Sequence, residues 1–306
     1  MFSFPKMLKV FRDQALQDAF EKDGFVVVPF YTDGEIKELT DLYYSLHPKD
    51  EKGFFPSTFS KDLNYRTVAD SEIRRIDERA INHYLENIKV ICGSFIVKSP
   101  GPESAMCVHQ DMTLVDESKY TGINIWVPLC DLTPTNGAIQ ALRGSHRLYP
   151  TYRHSSIPNF YESIDNEIKP YLETLYLKAG QALIFDQSII HYSEANMSDK
   201  VRIVCNTFFT NQDAKFNISY WNKDFAPNKV ELFEQDDTFM TNFEQFGENI
   251  ADRPKIGKSM GLVDYNFPKM TLEDLHRKYG KPKGEMKEEL PVKKPLLKRV
   301  FESLFQ

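Results

Sequence analysis

Between Val90 and Phe209 the chain is a series of short apolar runs separated by turn residues, and no other feature restricts the fold as much. The runs are Val90–Lys98, Ala105–Leu114, Gly122–Leu129, Ala138–Leu142, Glu173–Leu177, Ala182–Phe185, Ile189–Tyr192 and Val201–Phe209. Their length and their β-branched and aromatic content read as strands. Ser99-Pro100-Gly101, Asn136-Gly137 and Ala179-Gly180 provide turns between them. Eight short strands in one compact region predict a sandwich, jelly roll or barrel.

The chain before this region reads as helical. Ala15, Leu16, Ala19 and Phe20 form a short apolar stripe, and Gly24 suits a helix stop. Phe25–Pro29 is a short buried strand. Thr32 and Glu35 stand at capping-box spacing and open a helix with Ile36, Leu39, Tyr43 and Leu46 on one face, ended by Pro48. Residues 49–69 read as a long loop. Asp70 or Ser71 caps a further helix, whose apolar positions Ile73, Ile76, Ala80, Ile81, Tyr84, Leu85 and Ile88 keep helical spacing. From Asn211 the sequence is polar, with one short helix capped by Thr271 and carrying Leu272, Leu275 and Tyr279 on its apolar face. The expected organisation is a single domain over 1–306. It comprises a helical part (1–88), a β-rich core (89–210), an extension or lid (211–280), and a mobile linker with a short amphipathic tail (281–306).

Bulk properties narrow the partners. The 306 residues include 23 Phe and 15 Tyr, enough for a sizeable core. The net charge is -6, and the dense basic run is confined to the C-terminal end, so no nucleic-acid partner is expected. Cys92, Cys107, Cys130 and Cys205 form no C-x-x-C pair and read as small buried thiols. Strand alternation puts Cys107 on the face of His109 and Asp111. No apolar stretch is long enough to span a bilayer, and Met1–Val10 makes a poor signal peptide, so a cytoplasmic protein is expected. A homodimer is allowed.

The chemistry concentrates in three runs. His109 and Asp111 lie two residues apart on a strand and so share a face. Alone, this pair is better explained by a buried His–Asp hydrogen bond or by chance. His191 follows a turn and the apolar run Ala182–Phe185, which brings a histidine to a strand edge. Two imidazoles and one carboxylate are the donor set of the facial triad that holds non-haem Fe(II) and leaves coordination positions open. Arg202 shares a strand face with Val204, Asn206 and Phe208. A buried guanidinium needs a partner, and a dicarboxylate co-substrate meets that need through a bidentate fork. Ser193 can donate a hydroxyl to the same carboxylate.

These pieces belong to an ordered series. Asp23-Gly24-Phe25-Val26-Val27-Val28-Pro29, Val108-His109-Gln110-Asp111, Asn124-Ile125-Trp126-Val127-Pro128-Leu129, Asn136-Gly137-Ala138-Ile139-Gln140, Arg143-Gly144-Ser145-His146, Gly180–Phe185, His191 and Arg202 occur in that sequence. The series resembles the phytanoyl-CoA dioxygenase family of Fe(II)/2-oxoglutarate oxygenases over residues 15–210. The resemblance implies a mainly β fold with helices (α+β): a double-stranded β-helix, the cupin-like jelly roll, with N-terminal helices packed on one sheet. It implies Fe(II) at His109, Asp111 and His191, with 2-oxoglutarate and O2 as co-substrates. Arg202 and Ser193 would bind the distal carboxylate of 2-oxoglutarate, Trp126 would line its pocket, and Gln110 would contribute more weakly. His146 reads as structural. The implied reaction is hydroxylation of an aliphatic C–H in a small molecule, with release of succinate and CO2. Related halogenases carry a small residue where this chain has Asp111. Candidate substrate-lining residues are Phe54, Phe55, Tyr65 and Arg66 of the long loop, and Arg143 for an anionic group. A catalytically silent jelly-roll binding module and a cupin-type metalloenzyme without 2-oxoglutarate are the competing readings, and neither needs Arg202 and Ser193 as a clamp.

Overall fold

The computed structural model describes residues 8–47, 52–236, 238–242 and 250–282. Pro48 and nearly all of the expected linker and amphipathic tail at 281–306 lie outside the described residues. The strands in chain order are β1 (Phe25–Pro29), β2 (Phe54–Pro56), β3 (Ile88–Lys98), β4 (Met106–His109), β5 (Gly122–Pro128), β6 (Ile139–Ala141), β7 (Glu173–Leu175), β8 (Gln181–Asp186), β9 (His191–Ser193), β10 (Arg202–Asn211), β11 (Phe216–Tyr220), β12 (Lys229–Gln235) and β13 (Lys258–Asp264). The helices that matter for the site are α1 (Gln14–Asp23), α2 (Asp33–Leu46) and α3 (Leu63–Tyr84). Each of the eight runs expected to be strands overlaps one.

Two antiparallel sheets face each other. The larger has the order β1-β8-β5-β10-β3-β2, and the smaller β4-β9-β6-β7. Alternation along the large sheet decides what each face meets. Ile203, Cys205 and Phe209 of β10, Phe95 and Val97 of β3, and Ile123, Ile125 and Val127 of β5 pack against Phe20, Leu39, Ile73 and Ala80 from the three helices. Each fully buried Val, Leu, Ile or Phe side chain among them contributes roughly 1.5–3 kcal/mol. The opposite face carries Trp126, Leu183, Phe185 and Val204, which meet Ile139, Ala141 and Leu175 of the small sheet. This is the double-stranded β-helix with helices on one sheet that the sequence implied. Among the described residues, no helix is long and apolar enough to cross a membrane.

Local signals account for the helix ends. Asp13 caps α1, and Gly24 ends it in the left-handed region at φ 83°. Thr32 and Glu35 form the reciprocal capping box of α2. Two expectations need correction. Helix α3 begins two turns before Asp70, because Asp62 caps it by accepting from the Asn64 and Tyr65 amides. Asp70 instead sits within the helix and accepts from the Gly93 amide at 2.6 Å. The extension is also not mainly irregular: β11, β12 and β13 form a three-stranded sheet. Phe216 and Ile218 of β11 pack with Phe208 of β10, attaching that sheet to the roll. In the helix Leu272–Tyr279, Leu275 is buried but Leu272 is exposed.

One buried carboxyl pins α3 to the large sheet. Asp77 is fully buried and accepts from the hydroxyls of Tyr31 and Thr207. Burial pushes its pKa up to about 6, against the hydrogen bonds, which lower it. A carboxyl whose folded pKa is raised binds its proton more tightly in the native state. Its contribution is therefore greatest in acid and is lost as pH rises through about 6. The shift corresponds to on the order of 3 kcal/mol. Urea unfolding from pH 4 to 7 should show wild type losing stability relative to Asp77→Asn over this window. A constant difference between the two would contradict the assignment.

Candidate metal centre

His109 ends β4, His191 opens β9, and the two residues face each other across the ladder with ring centroids 4.0 Å apart. Strand β4 contains a bulge: Met106 pairs with Ser193 while His109 pairs with His191. The extra residue reverses the alternation. Met106, not Cys107, therefore shares the side of His109 and lines the cavity there. Cys107 lies outside the cavity, and burial pushes its thiol up to about 11. The expectation for Cys107 fails because of this bulge.

Beyond His109 the chain leaves the sheet, and its backbone is held from two sides. The Asp111 amide donates to the Gln187 carbonyl at 3.0 Å, and Arg153 Nε donates to the Asp111 carbonyl at 2.7 Å. The Asp111 carboxylate then lies with Oδ1 3.8 Å from His109 Nε2 and 3.9 Å from His191 Nε2. These distances exceed a hydrogen bond. His109 Nδ1 lies 2.8 Å from the Cys107 carbonyl, and His191 Nδ1 lies 3.1 Å from the Ile189 carbonyl. A carbonyl only accepts, so each Nδ1 carries the hydrogen and each Nε2 offers a lone pair. Burial, then the neighbouring His191, holds the His109 pKa well below its usual value, which keeps the imidazole neutral. Burial raises the Asp111 carboxyl pKa, while His191, Arg153 and Asn124 oppose the rise. The three donor atoms lie within 4.8 Å of one another. Two imidazole Nε2 atoms and one carboxyl oxygen that converge without hydrogen-bonding one another fit a divalent cation of the facial-triad type.

Asn124 of β5 donates from Nδ2 to Asp111 Oδ2 at 2.5 Å, which leaves Oδ1 facing the imidazoles. Loss of such an outer partner weakens metal binding about tenfold or more. Titration of Asn124→Ala with Fe(II), or with Co(II) as a spectroscopic substitute, should show that loss. Unchanged affinity would remove Asn124 from the site. The signal for Asn124 was available in the sequence, as a polar residue on the Trp126 face of an otherwise apolar strand.

The same cavity, about 280 Å³, reaches Arg202. Arg202 is 1% exposed, donates from Nη1 to the Gly137 carbonyl at 3.3 Å, and lies over the Trp126 ring at 5.2 Å. Its Nε is buried with no partner, and no carboxylate pairs with it among the described residues. Burial lowers its pKa to about 10, so it stays charged at neutral pH. Ser193 lines this end of the cavity, and its carbonyl accepts from the buried Lys98 at 3.0 Å. Gly137 stands at φ 75°, where a Cβ would come within 2.6 Å of the Glu194 carbonyl, so glycine is required there. Gln110 also lines the cavity, donating from Nε2 to the Ser188 carbonyl.

Of the residues expected around a substrate, Phe54 lines the cavity. Phe55, its neighbour on β2, faces the helix-side core at 4% exposure. Tyr65 is buried, with its hydroxyl 2.9 Å from His47 Nδ1. Arg66 donates to the Ser60 and Thr241 carbonyls. Neither Tyr65 nor Arg66 lines the cavity, because both lie in the first turn of α3 rather than in a loop. Arg143 lies at the surface, bridging Asp23 and Glu173 over the Phe25 ring. His146 is buried with Nε2 3.2 Å from the Glu21 carbonyl, and burial lowers its pKa to about 4. Met112, Leu114, His154, Met240 and Ile250 also line the cavity and are not among the residues expected from the sequence.

A sequence model of the family described as phytanoyl-CoA dioxygenase (PhyH) matches residues 20–204. A Dictyostelium discoideum protein named phytanoyl-CoA dioxygenase domain-containing protein 1 homolog is 26% identical over 65% of this chain and 73% of its own length. The phytanoyl-CoA dioxygenase of Arabidopsis thaliana is 29% identical over 37% of this chain and 41% of its own length. Phytanoyl-CoA dioxygenase domain-containing protein 1 of Danio rerio is 30% identical over 39% and 44%. The chain thus spans less than half the length of these last two relatives. Among solved structures, the epimerase SnoN, in complex with Fe3+, alpha ketoglutarate and nogalamycin RO, has 18% identity and a TM-score of 0.49 over 66% of this chain and 85% of its own. HygX from Streptomyces hygroscopicus, with nickel, 2-oxoglutarate and hygromycin B bound, has 16% identity and a TM-score of 0.49 over 66% and 88%.

Proposed function

Because the chain belongs to the phytanoyl-CoA dioxygenase family, and is thereby an Fe(II)/2-oxoglutarate-dependent dioxygenase, we propose that it hydroxylates an aliphatic C–H bond of a small molecule. His109, Asp111 and His191 hold the iron in this reading. Its main support is that three metal donors and a buried, carboxylate-free arginine share one cavity. A silent binding module, or a metalloenzyme without 2-oxoglutarate, leaves that arginine unexplained.

The residues divide the work. His109 and His191 each present an Nε2 lone pair because a backbone carbonyl fixes the opposite nitrogen as donor. Asn124 keeps one oxygen of Asp111 directed at the imidazoles. Arg202, with its free Nε, and Ser193 receive the distal carboxylate of 2-oxoglutarate, and Trp126 flanks it. Gln110 closes the wall beside Ser188. Bound iron, with 2-oxoglutarate and O2, supplies the oxidising power for the C–H bond. Phe54, Met112, Leu114, Phe208, Met240 and Ile250 form apolar walls that exclude water and accept hydrocarbon. Met240 and Ile250 come from the extension, which supports reading 1–306 as one oxygenase domain with 211–280 as cover. Asp111 occupies the position a halide needs in related halogenases, and this favours hydroxylation.

The test is succinate formation in air with Fe(II) and 2-oxoglutarate while metabolite fractions are added. A fraction that accelerates succinate release should yield a product heavier by one oxygen atom. A desaturated or rearranged product would replace hydroxylation with another outcome of the same site. Absence of any 2-oxoglutarate turnover would remove the reading.

A further inference from the structure

A second cavity, about 420 Å³, lies beside the first and shares none of its lining residues. The partition is an ion pair. Arg153 lines the iron-side cavity, Glu117 lines the second, and Arg153 donates to both oxygens of Glu117 at 2.8 and 2.5 Å. Lys119 and Asp116 on the second cavity's wall also neutralise each other at 2.8 Å.

Two charged side chains remain. Asp186 is only 8% exposed. Its Oδ1 accepts from the Ser188 amide and hydroxyl, and its Oδ2 has no hydrogen-bond partner among the described residues. Arg147 lines the same cavity, without a hydrogen bond or ion pair among the described residues. The two do not touch, but they are near enough to interact. Burial raises the Asp186 carboxyl pKa, opposed by the Ser188 hydrogen bonds and then by the charges of Arg153 and Arg147. Tyr149, Tyr152 and Tyr265 contribute aromatic surface to the rest of the wall. Asp186 thus keeps one carboxylate oxygen without a protein donor at the cavity wall, and the nearby unpaired guanidinium of Arg147 presents the opposite demand. One ligand that meets both carries an ammonium and a carboxylate on a short scaffold, with an apolar group for the tyrosines.

We propose that this cavity is a second small-molecule site that binds an α-amino acid with an apolar side chain, its ammonium on Asp186 and its carboxylate on Arg147. The site stands apart from the oxygenase reading and is tested by binding alone.

The experiment is calorimetric titration of the protein loaded with Ni(II) and saturating 2-oxoglutarate, so that the Arg202 end of the other cavity is filled. The probes are L-phenylalanine, 2-phenylethylamine and 3-phenylpropionate. The zwitterion should bind at least about tenfold more tightly than either singly charged analogue. Arg147→Gln should weaken phenylalanine about tenfold and leave 2-phenylethylamine unchanged. Asp186→Asn should weaken phenylalanine and leave 3-phenylpropionate unchanged. Arg147 is partly exposed and outside any network, so Arg147→Gln keeps the fold even if Asp186→Asn does not. Equal affinity for the three probes, no binding of phenylalanine at millimolar concentration, or insensitivity to Arg147→Gln would overturn the proposal.

Discussion

Asp111→Ala should abolish the weak visible charge-transfer band given by Fe(II) and 2-oxoglutarate without oxygen, and reduce succinate release in air by more than about a hundredfold. Outer partners of a metal ligand already account for up to about a hundredfold in affinity or activity, and Asp111 is a proposed ligand itself. The substitution is a clean one. Among the described residues the Asp111 side chain makes a single hydrogen bond, accepting from Asn124. The loop is held by its backbone instead, through the Gln187 carbonyl and Arg153 Nε, and alanine keeps both. Circular dichroism and melting temperature should therefore stay close to wild type. A band and a turnover rate that survive the change would mean that another group completes the metal site.

Arg202→Met should separate co-substrate affinity from stability, with opposite signs. Truncating one partner of a buried, hydrogen-bonded charge pair costs about 2–5 kcal/mol. The dissociation constant for 2-oxoglutarate, read from the anaerobic band, should therefore rise at least about thirtyfold. In the free protein the same arginine is a buried cation with an unpartnered Nε and, among the described residues, no carboxylate. Methionine is apolar and flexible enough to fill that space, so the variant without co-substrate should melt higher than wild type. Wild type should gain melting temperature when 2-oxoglutarate is added, and the variant should not. A variant that binds 2-oxoglutarate normally would put the distal carboxylate elsewhere.

Much of the site could be read from the sequence because its residues lie on strands with simple alternation. Arg202, Asn206 and Phe208 face the cavity together, as a period of two requires. The failures have specific causes. A bulge in β4 leaves no trace in residue type, so Met106 and Cys107 exchange places. Phe54 and Phe55 are adjacent aromatics, and only the pairing of β2 with β3 decides which one faces inward. Tyr65 and Arg66 belong to a helix and not to a loop because Asp62, not Asp70, caps α3. The C-terminal sheet escapes a sequence reading because its strands lie in polar sequence, and the alternating Met260 and Leu262 of β13 are exposed and not part of a buried face. Arg153 lies outside any strand, and nothing nearby in sequence points to its contact with Asp111.

The most direct test of the central claim is an anomalous difference map from crystals grown anaerobically with Fe(II), with data on both sides of the iron edge. One iron peak is expected within bonding distance of His109 Nε2, His191 Nε2 and an oxygen of Asp111, with the cavity continuing from it towards Arg202. Iron bound elsewhere, or no iron between these three side chains, would contradict it.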